Sequence, residues 1–71
     1  MKYLVVFEKT VQSYGAYVPD LPGCVAVANT HEELSRLIQE AIDLHLQDLQ
    51  AQGLPVPTPN SAAQLVEVIN H

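Results

Sequence analysis

The chain has a single cysteine, only three basic residues, and no apolar run long enough to span a membrane. Each scarcity excludes something. One cysteine rules out an intrachain disulfide, and no Cys/His spacing suits a structural zinc. Lys2, Lys9 and Arg36 stand against eight acidic residues, for a net charge of −5. Proteins that hold nucleic acid through its phosphates need clustered cations, so direct nucleic-acid binding is disfavoured and a basic protein is the better-matched partner. There is no Gly-rich phosphate loop, no nucleophile elbow, no internal repeat and no low-complexity tract. Met1 to Phe7 is not a secretory leader, because Glu8 and Lys9 interrupt it and no small-residue cleavage site follows. The expectation is a soluble cytoplasmic protein without a cofactor. At 71 residues it forms one domain, 1–71. A chain this short buries only about 60% of its unfolded surface, so oligomerisation is the expected extra source of stability.

The remaining residues are organised around Tyr17-Val18-Pro19-Asp20-Leu21-Pro22-Gly23-Cys24. Pro22 presets φ and Gly23 accepts positive φ, which predicts a type II turn over Leu21 to Cys24. Pro19 lacks a backbone donor and should end the preceding strand. Tyr3 to Phe7, Tyr14 to Val18 and Cys24 to Ala28 read as three strands, rich in β-branched and aromatic residues or alternating in size. Thr10 to Ser13 joins the first two, and Gly15 marks a bulge or a close approach. A small-residue row, Cys24, Ala26 and Ala28, is the expected seat of a helix.

That helix is strongly signalled. Thr30-His31-Glu32-Glu33 is a capping box, and its acidic residues suit the positive end of the helix dipole. Leu34, Leu37, Ile38, Ala41, Ile42, Leu44 and Leu49 recur at helical spacing. Gly53 and Pro55 provide the stop. The apolar arc from Leu44 round to Leu46 is roughly 200° wide, about twice what one sheet face needs, so the helix should touch a further element, subunit or partner. Pro55, Pro57 and Pro59 make a stiff connector. Beyond it, the β-branched residues Val66, Val68 and Ile69 favour a final strand within Ala62 to Ile69, with a short helix capped by Ser61 as the competing reading. The predicted architecture is α+β: β-β-β-α-β, an antiparallel sheet with one helix packed on it.

Candidate chemistry is sparse. Cys24 follows a turn where a nucleophile could be exposed, but neither a histidine nor a helix N-terminus is placed to lower its pKa, and a buried thiol is the plainer reading. His31, His45 and His71 are too scattered for a metal motif. His45 and Asp48 lie one helical turn apart; the pair could orient an imidazole for base work, or serve only as a buried hydrogen-bonded pair or a subunit contact. Glu8, Asp20, Glu40, Asp43 and Glu67 would have to converge to build a two-metal nuclease site, and Glu40 and Asp43 fall on the polar helix face instead. No catalytic residue and no metal ligand is assigned. Asp20 is either a turn residue bonding its own backbone or, with Tyr17, Pro19 and Leu21, part of a proline-stiffened loop presented to a partner.

The order of elements, together with Tyr17-Val18-Pro19-Asp20-Leu21-Pro22-Gly23-Cys24 and Gly53-Leu54-Pro55-Val56-Pro57 at their spacing, resembles the N-terminal domain of the HicB-like antitoxin family over nearly the whole chain. The resemblance implies a partial ribonuclease-H-like fold without that enzyme's catalytic acids. It also implies a protein partner, HicA, a small basic toxin that cleaves messenger RNA and is neutralised when the antitoxin covers its catalytic surface. Many such antitoxins continue into a DNA-binding domain. This sequence stops at His71, so operator binding is not expected. Two further readings stay open. One is a solitary homodimeric or homotetrameric module with a different partner. The other is an enzyme using Cys24 or the His45–Asp48 pair.

Overall fold

The computed structural model describes residues 1–69. Three short strands, β1 (Val6–Lys9), β2 (Tyr14–Tyr17) and β3 (Val25–Ala28), precede one long helix, α1 (His31–Ala51). The strands form an antiparallel meander in the order β1-β2-β3. Cross-strand rows alternate between the two faces of the sheet. Phe7–Ala16–Ala26 and Lys9–Tyr14–Ala28 share the helix side, whereas Val6–Tyr17–Val25 and Glu8–Gly15–Val27 share the outer side. The strands start or stop within a few residues of the predicted bounds; β1 lies further along than Tyr3 to Phe7.

The expected seat for the helix is present. Ala16 and Ala28 are buried and Ala26 half-buried, and this low surface lets α1 lie close across β2 and β3. Leu34 and Ile38 enter the core from the helix, joined by Ala16, Val18, Leu21, Cys24 and Ala28. Leu21 and Leu34 are fully enclosed, each contributing roughly 1.5–3 kcal/mol of burial.

Both helix ends follow from the residues that bracket them. The Thr30 hydroxyl accepts from the Glu33 amide at 3.1 Å, satisfying one amide that the helix leaves without a partner. At the other end Gly53 takes φ +70°. Its amide donates to the Gln50 carbonyl and that of Leu54 to the Leu49 carbonyl, a complete Schellman closure. His31, the first helical residue, sets its ring 4.6 Å from Phe7 and edge-on to Tyr14, tying this end of the helix to the sheet.

The predicted final strand does not form among the described residues, nor does the competing helix. Residues 54–69 carry no regular structure, and residues 60–69 are exposed throughout. A strand is defined by its neighbour, and here the segment lies along no other strand. It is held only at its base. The Tyr3 hydroxyl donates to the Pro57 carbonyl, and Asp20 grips Asn60 and Ser61. Past Ser61 the tail makes no hydrogen bond among the described residues. The molecule measures 53 × 27 × 16 Å, of which the 21-residue helix accounts for only about 32 Å of length. His71 lies outside the described residues.

Candidate partner-binding site

The segment between β2 and β3 folds as two consecutive turns. The Leu21 amide donates to the Val18 carbonyl at 3.0 Å, and the Cys24 amide to the Leu21 carbonyl at 3.0 Å. Gly23 sits at φ +85°, as the Pro-Gly signature requires. The Val18 amide closes the loop on the Cys24 carbonyl at 3.1 Å, extending the β2–β3 pairing to the loop's base. Seven residues thus form a hydrogen-bonded unit anchored in the core by the side chains of Val18, Leu21 and Cys24, of which Leu21 is the most completely enclosed.

That arrangement divides the four expected contact residues. Tyr17 is 41% exposed on the outer face of the sheet, and Pro19 is exposed on the loop. Leu21 points the opposite way, with no exposed surface at all. It cannot reach a partner; it locks the loop to the core. Periodicity gave no hint of this, because residues in turns follow neither a two-residue nor a 3.6-residue repeat.

Asp20 does not bond its own turn; its carboxylate reaches 41 residues along the chain instead. One carboxylate oxygen accepts from the Asn60 and Ser61 amides at 3.0 and 2.9 Å, and the other accepts from the Ser61 hydroxyl at 2.9 Å. The Ser61 amide is the main cause that holds the Asp20 carboxyl below its ordinary value, helped by the Ser61 hydroxyl and the Asn60 amide, against an opposing push from desolvation. Asn60 and Ser61 are the members of this site that sequence reasoning missed. Their only signal was that both are small polar residues placed just before an apolar segment.

The surroundings are apolar on one side and acidic on another. On the outer sheet face, Tyr17 neighbours Val6 and Val25, and the absence of a side chain at Gly15 leaves a shallow depression of about 230 Å³ beside Val25 and Val27. The solvent side of α1 carries Glu32, Glu33, Glu40, Asp43 and Asp48, all exposed. Arg36 is the one cation among them and is engaged with Glu40 at 3.3 Å.

Cys24 is buried, and loss of solvent pushes its thiol up, away from a reactive thiolate. Asp48 accepts from the Gln52 side chain at 2.9 Å rather than pairing with His45. Among the described residues, no three His, Cys, Asp or Glu side chains converge as metal ligands. Among those residues, too, no helix is long and apolar enough to cross a membrane.

Comparison with known proteins agrees with this architecture. A family model described as the HicB-like antitoxin of a bacterial toxin-antitoxin system matches residues 3–71. A UPF0150 protein of Helicobacter pylori is 42% identical over 64 residues, covering 89% of each chain. A UPF0150 protein of Synechocystis is 41% identical over 56 residues, covering 78% of this chain and 71% of its own. Among solved structures, a chain of a "HicA3 and HicB3 toxin-antitoxin complex" superimposes with a TM-score of 0.71 at 33% identity, over 84% of this chain and 70% of that one.

Proposed function

The chain belongs to the HicB-like antitoxin family, and from that premise we propose that it binds and neutralises a small basic toxin of the HicA type that cleaves messenger RNA. The observation that carries this reading is the match, in both fold and sequence, to a chain from a complex of a HicA and a HicB protein. The protein's action is occlusion rather than catalysis: it has no reaction of its own and works in the cytoplasm. An acidic chain meeting a basic enzyme gains electrostatic steering and a salt-sensitive association rate.

The binding surface centres on Tyr17, at the end of β2, and Pro19, in the loop that follows it, while the acidic side of α1, on the other layer of the fold, contributes long-range attraction rather than contacts. Asp20 and Leu21 contribute indirectly, Leu21 by fixing the loop to the core and Asp20 by holding the start of the tail. A preformed loop loses little conformational freedom on binding, so its contacts are not offset by an ordering cost. The protein acts as a homodimer or homotetramer, consistent with its small core and unpartnered apolar surface.

Calorimetric titration with a HicA-type toxin from the same genome tests this reading. Tight binding that weakens as salt rises, and that weakens again in Tyr17→Ala, is the expected result. An unchanged affinity in Tyr17→Ala removes the proposed surface. Absence of binding to every such toxin removes the proposed partner and leaves a self-associating module with a different client.

A further inference from the structure

The chain exposes more surface than a compact protein of its mass. Its accessible area is 5653 Å². A folded monomer of 7.8 kDa is expected to expose roughly 4,400 Å², which leaves an excess of about 1,300 Å². That excess on one chain is larger than the roughly 800 Å² that each partner gives up in a specific interface of standard size.

One part of it lies in the tail. Leu65, Val66, Val68 and Ile69 are 101%, 70%, 78% and 83% exposed. The Asp20 clamp fixes where the tail leaves the body, at Asn60 and Ser61, yet nothing beyond that point rests on the chain's own core. These residues have strand composition, and apolar side chains would fall on both faces: Leu65 and Ile69 on one, with Glu67 between them, and Val66 and Val68 on the other. Such a segment suits a place at the edge of a sheet with apolar surface on each side.

The sheet offers one such place. Both outer strands have an unpaired edge, but β1 carries Glu8 and Lys9, charges that discourage strand pairing. The β3 edge reads Val25-Ala26-Val27-Ala28, with no charge and no proline. On its outer side Val25 and Val27 are 63% and 67% exposed. On its helix side a groove runs past Cys24 and Val25 to Ala41, Leu44 and His45. Leu44, at 65% exposure, accounts for part of the helix's surplus apolar arc.

We infer that residues 62–69 of one chain add as a strand to the β3 edge of a second copy, and that the second copy returns the exchange. Main-chain hydrogen bonds along β3 fix the added segment, and its alternating side chains meet apolar surface on each side of the sheet. Reciprocity closes the assembly as a two-fold dimer in which every tail and every β3 edge is matched, so the exchange does not propagate into a fibre. The inference deepens the self-association proposed above. It also explains why the strand anticipated from residues 62–69 is absent from the isolated chain, since the neighbour that defines it belongs to another copy.

The test is sedimentation of the full chain and of two variants, with far-UV circular dichroism as a check on folding. Val66→Asn/Val68→Asn alters only exposed tail positions, and Val27→Asn alters an exposed edge position. The wild type should be dimeric, and each variant folded but with dimerisation weakened by roughly a hundredfold or more. Mixing the two variants should restore a mixed dimer, because the intact tail of one meets the intact edge of the other. A monomeric wild type overturns the inference. A tail variant that remains as dimeric as the wild type also overturns it, while leaving self-association standing. Failure of the mixture to form a mixed dimer overturns it in favour of tail-to-tail contact. None of these results bears on toxin binding, which the titration above reads separately.

Discussion

Two proline-rich segments of similar composition behave in opposite ways. Val18 to Cys24 and Gly53 to Pro59 each contain a glycine at positive φ and at least two prolines. The first is closed by three backbone hydrogen bonds and plugged into the core by Leu21. The second ends the helix and then runs over the surface, half-buried at Val56, Pro57 and Pro59. Proline and glycine shape both backbones locally; a buried side chain decides which becomes part of the folded body. Asp20 joins them, since it rises from the first segment and holds the residues that follow the second.

The contrast can be broken most severely at the plug. Leu21→Ala should destabilise the chain by about 2–5 kcal/mol, because it removes a fully enclosed side chain and leaves a cavity under the loop. For a domain this small that is a large part of the total stability. Leu65→Ala, at a fully exposed tail position, should change the unfolding of dilute, monomeric protein by less than about 0.5 kcal/mol. Urea denaturation measures both, and comparable losses would contradict the division into plugged and unplugged segments.

Next come the two glycines. An added Cβ at Gly23 or Gly53 meets nothing within 4 Å, so the cost of Gly→Ala is that of the left-handed backbone alone. About 1–2 kcal/mol is expected at each. A much larger loss at either site would mean that packing, rather than conformation, selects the glycine there. The helix start should be a little less sensitive. Thr30→Ala removes the acceptor for the Glu33 amide and should cost about 1 kcal/mol, visible as a lower urea midpoint with an unchanged slope.

The subtlest effect belongs to the link between the segments. Asp20→Asn should leave global stability close to that of the parent but speed amide hydrogen exchange at Asn60 and Ser61. The same tether should respond to acid. The folded-state pKa of Asp20 is depressed below 3.8, so its contribution is fully present above that value and is lost as pH falls through the folded-state pKa. Exchange or nuclear magnetic resonance shifts at Ser61 should follow this titration. If they stay flat down to the lowest attainable pH, the carboxylate is not what holds the tail.

Local chemistry was legible wherever a few adjacent residues determine the geometry. Thr30 and Glu33 marked the helix start, Gly53 its end, and Pro22-Gly23 the turn, and the structure places each as expected. Alternation of small and large residues located the helix seat at Cys24, Ala26 and Ala28, and the structure adds Ala16 from β2 to it. Legibility failed where the outcome depends on distant neighbours. Val66, Val68 and Ile69 have strand propensity, but propensity supplies no partner strand. Leu21 was read as displayed beside Asp20, although adjacent turn residues point in unrelated directions and it faces inward. The Asp20–Ser61 contact spans 41 residues and carries no periodic signature. Tyr17 and Pro19 remain the exposed part of the expected contact surface.

The most direct test of the account is an RNA-cleavage assay in which a HicA-type toxin is titrated with this protein. The account predicts that cleavage falls to background near one binding-competent site per toxin, that added salt restores it, and that Tyr17→Ala shifts the titration to higher protein concentration. Undiminished cleavage at a large excess of folded protein would contradict it.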